Sequence, residues 1–126
     1  MKKTALTHPD KKFSYGKFSA GIVCDGWLHI SGQGPLDMKT GQRVAGAIEE
    51  ETRLTLQHIE TILKEAGADK SAIVKCTCYL ADMADFEGFN NTYSDFFDDP
   101  LPARTTVQAG LMKSIRVEID AVARLG

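Results

Sequence analysis

A two-layer α+β sandwich, a mixed β-sheet carrying two helices on one face, is the fold this sequence predicts. Three observations predict it. Apolar residues recur at helical spacing in two segments, near residues 48–66 and 83–97. Around and between them lie short runs that alternate in polarity or are rich in β-branched residues. The resulting order is strands, helix, strand, helix, strands, and two helices can cover only one face of such a sheet. At 126 residues and 43% hydrophobic, the chain suits a single domain, residues 1–126, with an ordinary core.

Each element has its own signal. Residues 1–17 are polar and are expected to form a partly ordered lead-in. Ala20–Cys24 and Trp27–Ser31 flank Asp25-Gly26, a strong two-residue hairpin signal. Pro35 to Gly41 reads as a turn-rich loop. In the first helix Ile48, Thr52, Leu56, Ile59, Leu63 and Ala66 share a face, Glu and Lys lie opposite, and Gly67 supplies a C-terminal cap. Ile73 to Leu80 reads as a strand. The second helix, Met83 to Phe97, gathers Phe86, Phe89, Tyr93, Phe96 and Phe97 on one stripe, which fits core packing, and Asp98-Asp99-Pro100 ends it. Two strands follow, Arg104 to Leu111 and Ile115 to Ala123. In the last, Ile115, Val117, Ile119, Ala121 and Ala123 face the helices, and Arg116, Glu118, Asp120 and Val122 face the other way. That second face, lined in part by Val122 and Thr106, needs water or another subunit against it.

Composition removes several classes of function. The net charge of −2 has both signs interspersed, so no basic stripe offers a nucleic-acid surface. Lys2 and Lys3 precede no apolar run, so no signal peptide is expected, and no window is apolar for long enough to span a bilayer. A cytoplasmic protein is expected. Cys24, Cys76 and Cys78 are read as buried thiols, and His8, His29 and His58 lack zinc-like spacing, so no metal is expected. Asn90-Asn91-Thr92 matches a glycosylation sequon that matters only in a secreted chain.

Two charged residues near the end carry the candidate chemistry. Arg104 offers a planar fork of donors suited to a carboxylate, against the plainer reading of an ion pair with Asp98 or Asp99. Glu118 lies 14 residues later (118 − 104), against the plainer reading of a pair with Arg116. Were the two strands joined as a hairpin through Lys113-Ser114, Arg104 and Glu118 would not stand opposite each other. That is compatible with a site shared between subunits. Ser31 and Gly32 fit a strand end where a backbone amide could approach an anion, or a plain turn.

Three motifs, Ile30-Ser31-Gly32-Gln33-Gly34-Pro35-Leu36, Leu101-Pro102-Ala103-Arg104-Thr105-Thr106 and Val117-Glu118-Ile119-Asp120, occur in the order found in the RidA/YjgF family of imine deaminases. Around two helices of the right kind, the chain resembles that family from about Phe18 to Ala123. The resemblance implies a chorismate-mutase-like fold, a homotrimer with sites at subunit interfaces, and no cofactor. It implies a small 2-imino acid or 2-oxo acid as ligand. Arg104 matches the arginine that holds the substrate carboxylate, Glu118 the glutamate that orients the hydrolytic water, and Asn90 an asparagine behind the site. Ser31, Gly32, Phe18 and Thr106 fall at substrate-binding positions. Phe18 stands where many members have tyrosine, Thr106 where a cysteine is common, and the loop Asp98 to Leu101 is shorter than in the best-known members. Other readings of the same cleft are a non-catalytic sensor of small carboxylates, a ribonuclease, which no histidine pair suggests, and a stress-induced holdase.

Overall fold

Asp25 and Gly26 both take positive φ, 54° and 80°, the turn geometry whose twist matches that of the strands it joins. Strands β2 (Gly21–Cys24) and β3 (Trp27–Gln33) form the hairpin around them. The computed structural model describes residues 2–14 and 16–126. Met1 and Tyr15, inside the expected lead-in, lie outside the described residues. Strand β1 (Thr4–Leu6) pairs antiparallel with β2, and His8 is buried.

Helix α1 spans Ile48–Glu65. Its N-cap, Ala47, makes no side-chain cap bond, a contribution of about 1 kcal/mol where present. Leu56, Ile59, Ile62 and Leu63 are fully buried, about 1.5–3 kcal/mol apiece. Packing, not capping, holds this helix. At its far end the Gly67 and Ala68 amides donate to Lys64 and Leu63 carbonyls, as a left-handed cap requires. Strand β4 is Ile73–Leu80, as expected. The second helix is shorter than the periodicity implies: Met83–Asp85 is a 3-10 turn, and α2 runs Phe86–Phe96. Asp82, whose carboxylate accepts from the Ala84 amide, sets the tighter turn.

Strands β5 (Ala103–Gln108) and β6 (Val117–Arg124) are shorter than the expected segments and do not form a hairpin. The sheet order is β1-β2-β3-β6-β4-β5, so β4 stands between them. Strand β5 pairs parallel with β4 after the α2 crossover, and β6 pairs antiparallel with both β3 and β4. Both helices lie on one face, over Leu28, Ile30, Cys76, Cys78, Ile119 and Ala121. From Val117 on, the alternation of β6 is as expected, with Val117, Ile119, Ala121 and Ala123 buried and Glu118, Asp120 and Val122 half-buried on the other face. Ile115, expected to face the helices, instead precedes the strand and packs with Leu36 and Met38. Thr106 corrects the expectation. It is in register with Cys78, so it shares the helix-covered face rather than the open one. No helix among the described residues is long and apolar enough to cross a membrane.

Candidate functional site

Glu118 lies in register with Tyr79 on the open face of the sheet. Where β3 approaches it, the β3–β6 register slips between Ile30 and Gln33, and the chain passes over the carboxylate at Gly32. A Cβ built at Gly32 would fall 2.8 Å from Glu118 Cδ and overlap its Oε2. A side chain at this position would displace the Glu118 carboxylate from where it stands. Ser31 beside it spends both donors inside the chain: its amide reaches Ala20 O at 2.9 Å and its hydroxyl Ser19 O at 2.6 Å. Ser31 therefore fastens the strand end, and Gly32 brings the backbone to the carboxylate.

A cavity of about 740 Å³ opens above this point. Phe18, Ser31, Gly32, Glu118 and Asp120 line it, with Leu36, Met112 and Ile115 supplying apolar wall. Its size suits a small ligand. Burial, and then the neighbouring charge of Asp120, push the Glu118 carboxyl above its ordinary value of 4.5. Asp120 is itself held: Tyr79 donates its hydroxyl to Asp120 Oδ2 at 2.9 Å. The sequence places Asp120 on the Glu118 face but marks neither Asp120 nor Tyr79 as a site residue. The signal for Asp120 was its two-residue spacing from Glu118 on one strand face.

Arg104 stands elsewhere. On edge strand β5 it is in register with Cys76, on the helix-covered face. Its Nη1 donates to Asn90 Oδ1 of α2 at 2.7 Å. Its guanidinium lies over the Tyr93, Phe89 and Phe86 rings at 4.8, 5.5 and 5.7 Å, so the aromatic stripe is both core and a platform for the cation. Neither plainer pairing occurs. Arg104 binds Asn90, not Asp98 or Asp99, and Arg116 pairs with Asp85 and approaches Glu51, not Glu118. Thr106 shares the Arg104 face, and its hydroxyl is buried without a hydrogen-bond partner.

The thiols beneath are inert. Burial pushes Cys76 up to about 11 and Cys78 to about 12, so neither presents a thiolate near neutral pH. The described chain thus brings Glu118, Gly32, Ser31 and Phe18 to one cavity, and Arg104, Asn90 and Thr106 to another place. The sheet lies between the two groups.

The family model described as endoribonuclease L-PSP matches residues 10–125. A protein of Mus musculus named 2-iminobutanoate/2-iminopropanoate deaminase is 43% identical over 112 residues, 88% of this chain and 83% of that one. A protein of Lactococcus lactis that carries the name regulator AldR is 39% identical over 117 residues, 92% of this chain and 93% of that one. Among solved structures, E. coli TdcF with bound serine superimposes with a TM-score of 0.89 at 28% identity, covering 98% of this chain and 99% of that one. With the fold and motif positions alike, the chain belongs to the endoribonuclease L-PSP family, the RidA/YjgF family that its motifs resemble.

Proposed function

We propose that this protein is a cofactor-independent imine deaminase that converts reactive 2-imino acids to 2-oxo acids and ammonia. It would act in the cytoplasm on imines released by pyridoxal-phosphate enzymes, as a homotrimer with sites between subunits. The observation that carries the interface is the placement of Arg104 and Glu118 on opposite faces of one sheet. A second copy that brings its Arg104 edge to this chain's open face would unite them.

In that site Arg104 of one subunit holds the substrate carboxylate by its two-pronged fork. Glu118 of the other, beneath Gly32, takes a proton from water as the oxygen adds to the imine carbon. Glu118 passes that proton to the imine nitrogen, giving the carbinolamine. On collapse it carries the hydroxyl proton to nitrogen as the C–N bond breaks, and ammonia leaves with the 2-oxo acid. Proton transfer of this kind contributes about 10²–10⁴-fold, and orientation by Arg104 adds to it. Asn90 positions Arg104, and Phe18 and Thr106 shape the side-chain pocket.

The test mixes two variants, Arg104→Ala and Glu118→Gln, each inactive by itself. In statistically mixed trimers about one site in four receives both intact residues, so roughly a quarter of wild-type turnover returns. Turnover is read by trapping the imine, generated by an amino-acid oxidase, with semicarbazide. No recovery from trimeric mixtures would reject the shared site. Wild-type protein that fails to speed imine loss would reject the deaminase.

Acid dependence gives a second check. Glu118 must be ionised to accept a proton, so kcat/KM falls as pH drops through its raised pKa, above the ordinary glutamate range. Asp120→Asn removes the like charge, and the acid limb moves to lower pH. Burial remains, so the shift is partial. A profile identical to wild type would remove Asp120 from the proton chemistry.

The relative named as a regulator favours one other reading, a sensor that binds small carboxylates through Arg104 without turning them over. Binding of 2-oxo acids with no catalysis, and no effect of Glu118→Gln on that binding, would identify it.

A further inference from the structure

His8 and His58 are 50 residues apart in sequence and meet in the interior, 4% and 9% exposed. His8 lies on the N-terminal arm, and His58 lies on the buried side of α1. Three hydrogen bonds run through them. His58 Nε2 is 2.8 Å from Leu36 O, His58 Nδ1 is 3.0 Å from His8 Nε2, and His8 Nδ1 is 3.2 Å from the Asp10 amide. The ends decide where the protons sit. A carbonyl can only accept, so His58 carries its hydrogen on Nε2 and presents a bare Nδ1. His8 must then donate from Nε2, which leaves its Nδ1 to accept from the Asp10 amide. Only this arrangement, with both rings neutral, satisfies every group.

One added proton breaks it. Wherever the proton settles, two N–H groups face each other, either between the rings or between His8 and Asp10. The relay joins three parts of the fold: the arm, α1 and the loop at Leu36. The arm is also tied by the Lys12 amide to Met38 O at 2.7 Å, and Phe13 packs on the cluster of Leu36, Met38 and Ile115. It leads on to Gly16 and Phe18, which line the Glu118 cavity together with Leu36.

We propose that the His8–His58 relay is a proton-operated clasp. Closed when both rings are neutral, it positions the arm and the Leu36 loop as one wall of the Glu118 cavity; proton uptake releases that wall. Electrostatics agrees in direction. Burial first lowers the pKa of both rings below 6.5, and each ring's charged neighbours act on it secondarily. For His8 these are His58 and Lys11, which lower it further, and Asp10, which opposes them; for His58 it is Asp10 alone, beside the raising influence of the Leu36 carbonyl. Because the folded pKa values lie below the unfolded ones, the unfolded chain binds more protons in the interval between them. The clasp is therefore intact above about pH 6.5 and loses stability as pH falls through that interval.

The experiment follows two signals in the wild-type chain between pH 8 and pH 4.5. Imidazole ¹⁵N shifts report the tautomers and the protonation midpoint of each ring. Hydrogen-exchange protection at the Lys12 amide, corrected for intrinsic rate, reports whether the arm is docked. Protection should drop about tenfold for each pKa unit by which the folded pair is lowered, with a midpoint matching the titration of His8 and His58. In His8→Gln/His58→Gln, which does not titrate, protection should be flat with pH. Protection that survives protonation of the pair overturns the clasp, as does an equal loss in the double variant. Should that variant fail to fold, the two wild-type midpoints decide by coinciding or not. No step depends on turnover, so the outcome is separate from that of the deaminase reading.

Discussion

Arg104→Ala is expected to reduce imine turnover by about 30- to 5,000-fold while leaving the fold intact. The range follows from the roughly 2–5 kcal/mol lost when one partner of a buried charged pair is removed, at tenfold in rate per ~1.36 kcal/mol. The chain has already placed the guanidinium. Three aromatic rings of α2 flank it and Asn90 anchors Nη1, so its orientation costs little when a carboxylate arrives. Arg104→Lys keeps the charge but loses the fork and the stacking, and should recover only a small part of the rate. Turnover with the oxidase-coupled assay, and calorimetric binding of a 2-oxo acid, measure the two effects separately. Near-normal turnover in Arg104→Ala would end its assignment as the carboxylate holder.

Glu51→Ala is expected to destabilise the protein by about 3–5 kcal/mol, the usual result of removing one member of a buried ion pair. For a domain of this size that lowers Tm by roughly 10–20 °C. Glu51 is 1% exposed, in the first turn of α1. Its Oε2 accepts from Arg43 Nε at 3.0 Å and Nη2 at 2.5 Å, and its Oε1 accepts the Arg116 amide at 2.8 Å. One carboxylate thus binds the 34–43 loop, α1 and the start of β6. Alanine would leave the partly exposed Arg43 guanidinium without its carboxylate, the Arg116 amide without its acceptor, and a gap in the interior. Glu51→Gln keeps an acceptor for Arg116 and should cost less. Thermal melts of both variants check the ranking, and equal Tm values for wild type and Glu51→Ala would refute the hub.

Local features of the fold were legible because they are written in adjacent residues. Asp25-Gly26 predicts a turn, and the apolar face of residues 48–66 and the run Ile73–Leu80 predict a helix and a strand that the structure contains. Strand order was not legible. No local pattern distinguishes β5 beside β6 from β5 beside β4, because pairing is decided by what α2 must cover on its way across. Strand β1 has three residues, too few for alternation to register. At the site, alternation along β6 gives Glu118 its face, but nothing local gives Arg104 its own. Ala103–Gln108 contains too few apolar residues to mark an inner side, so Thr106 was assigned to the wrong one. Glu51 looked like one more acid on a solvated helix surface. Its burial follows from Arg43 and the Arg116 amide, which arrive from distant segments.

The central position of β6 bears on how the molecule is made. Residues 117–124 form the seam between β1-β2-β3 and β4-β5 and touch no outer edge of the sheet. During synthesis, both halves leave the ribosome before the strand that joins them. Until then each presents an unpaired strand, β3 or β4, with Leu28, Ile30, Cys76 and Cys78 awaiting their partners Ala123, Ala121 and Ile119. Such edges invite pairing between nascent chains. Loss of β6 would therefore do more than trim a margin: it would leave one chain with two separate half-sheets, each with an unpaired edge, rather than a shortened version of the fold.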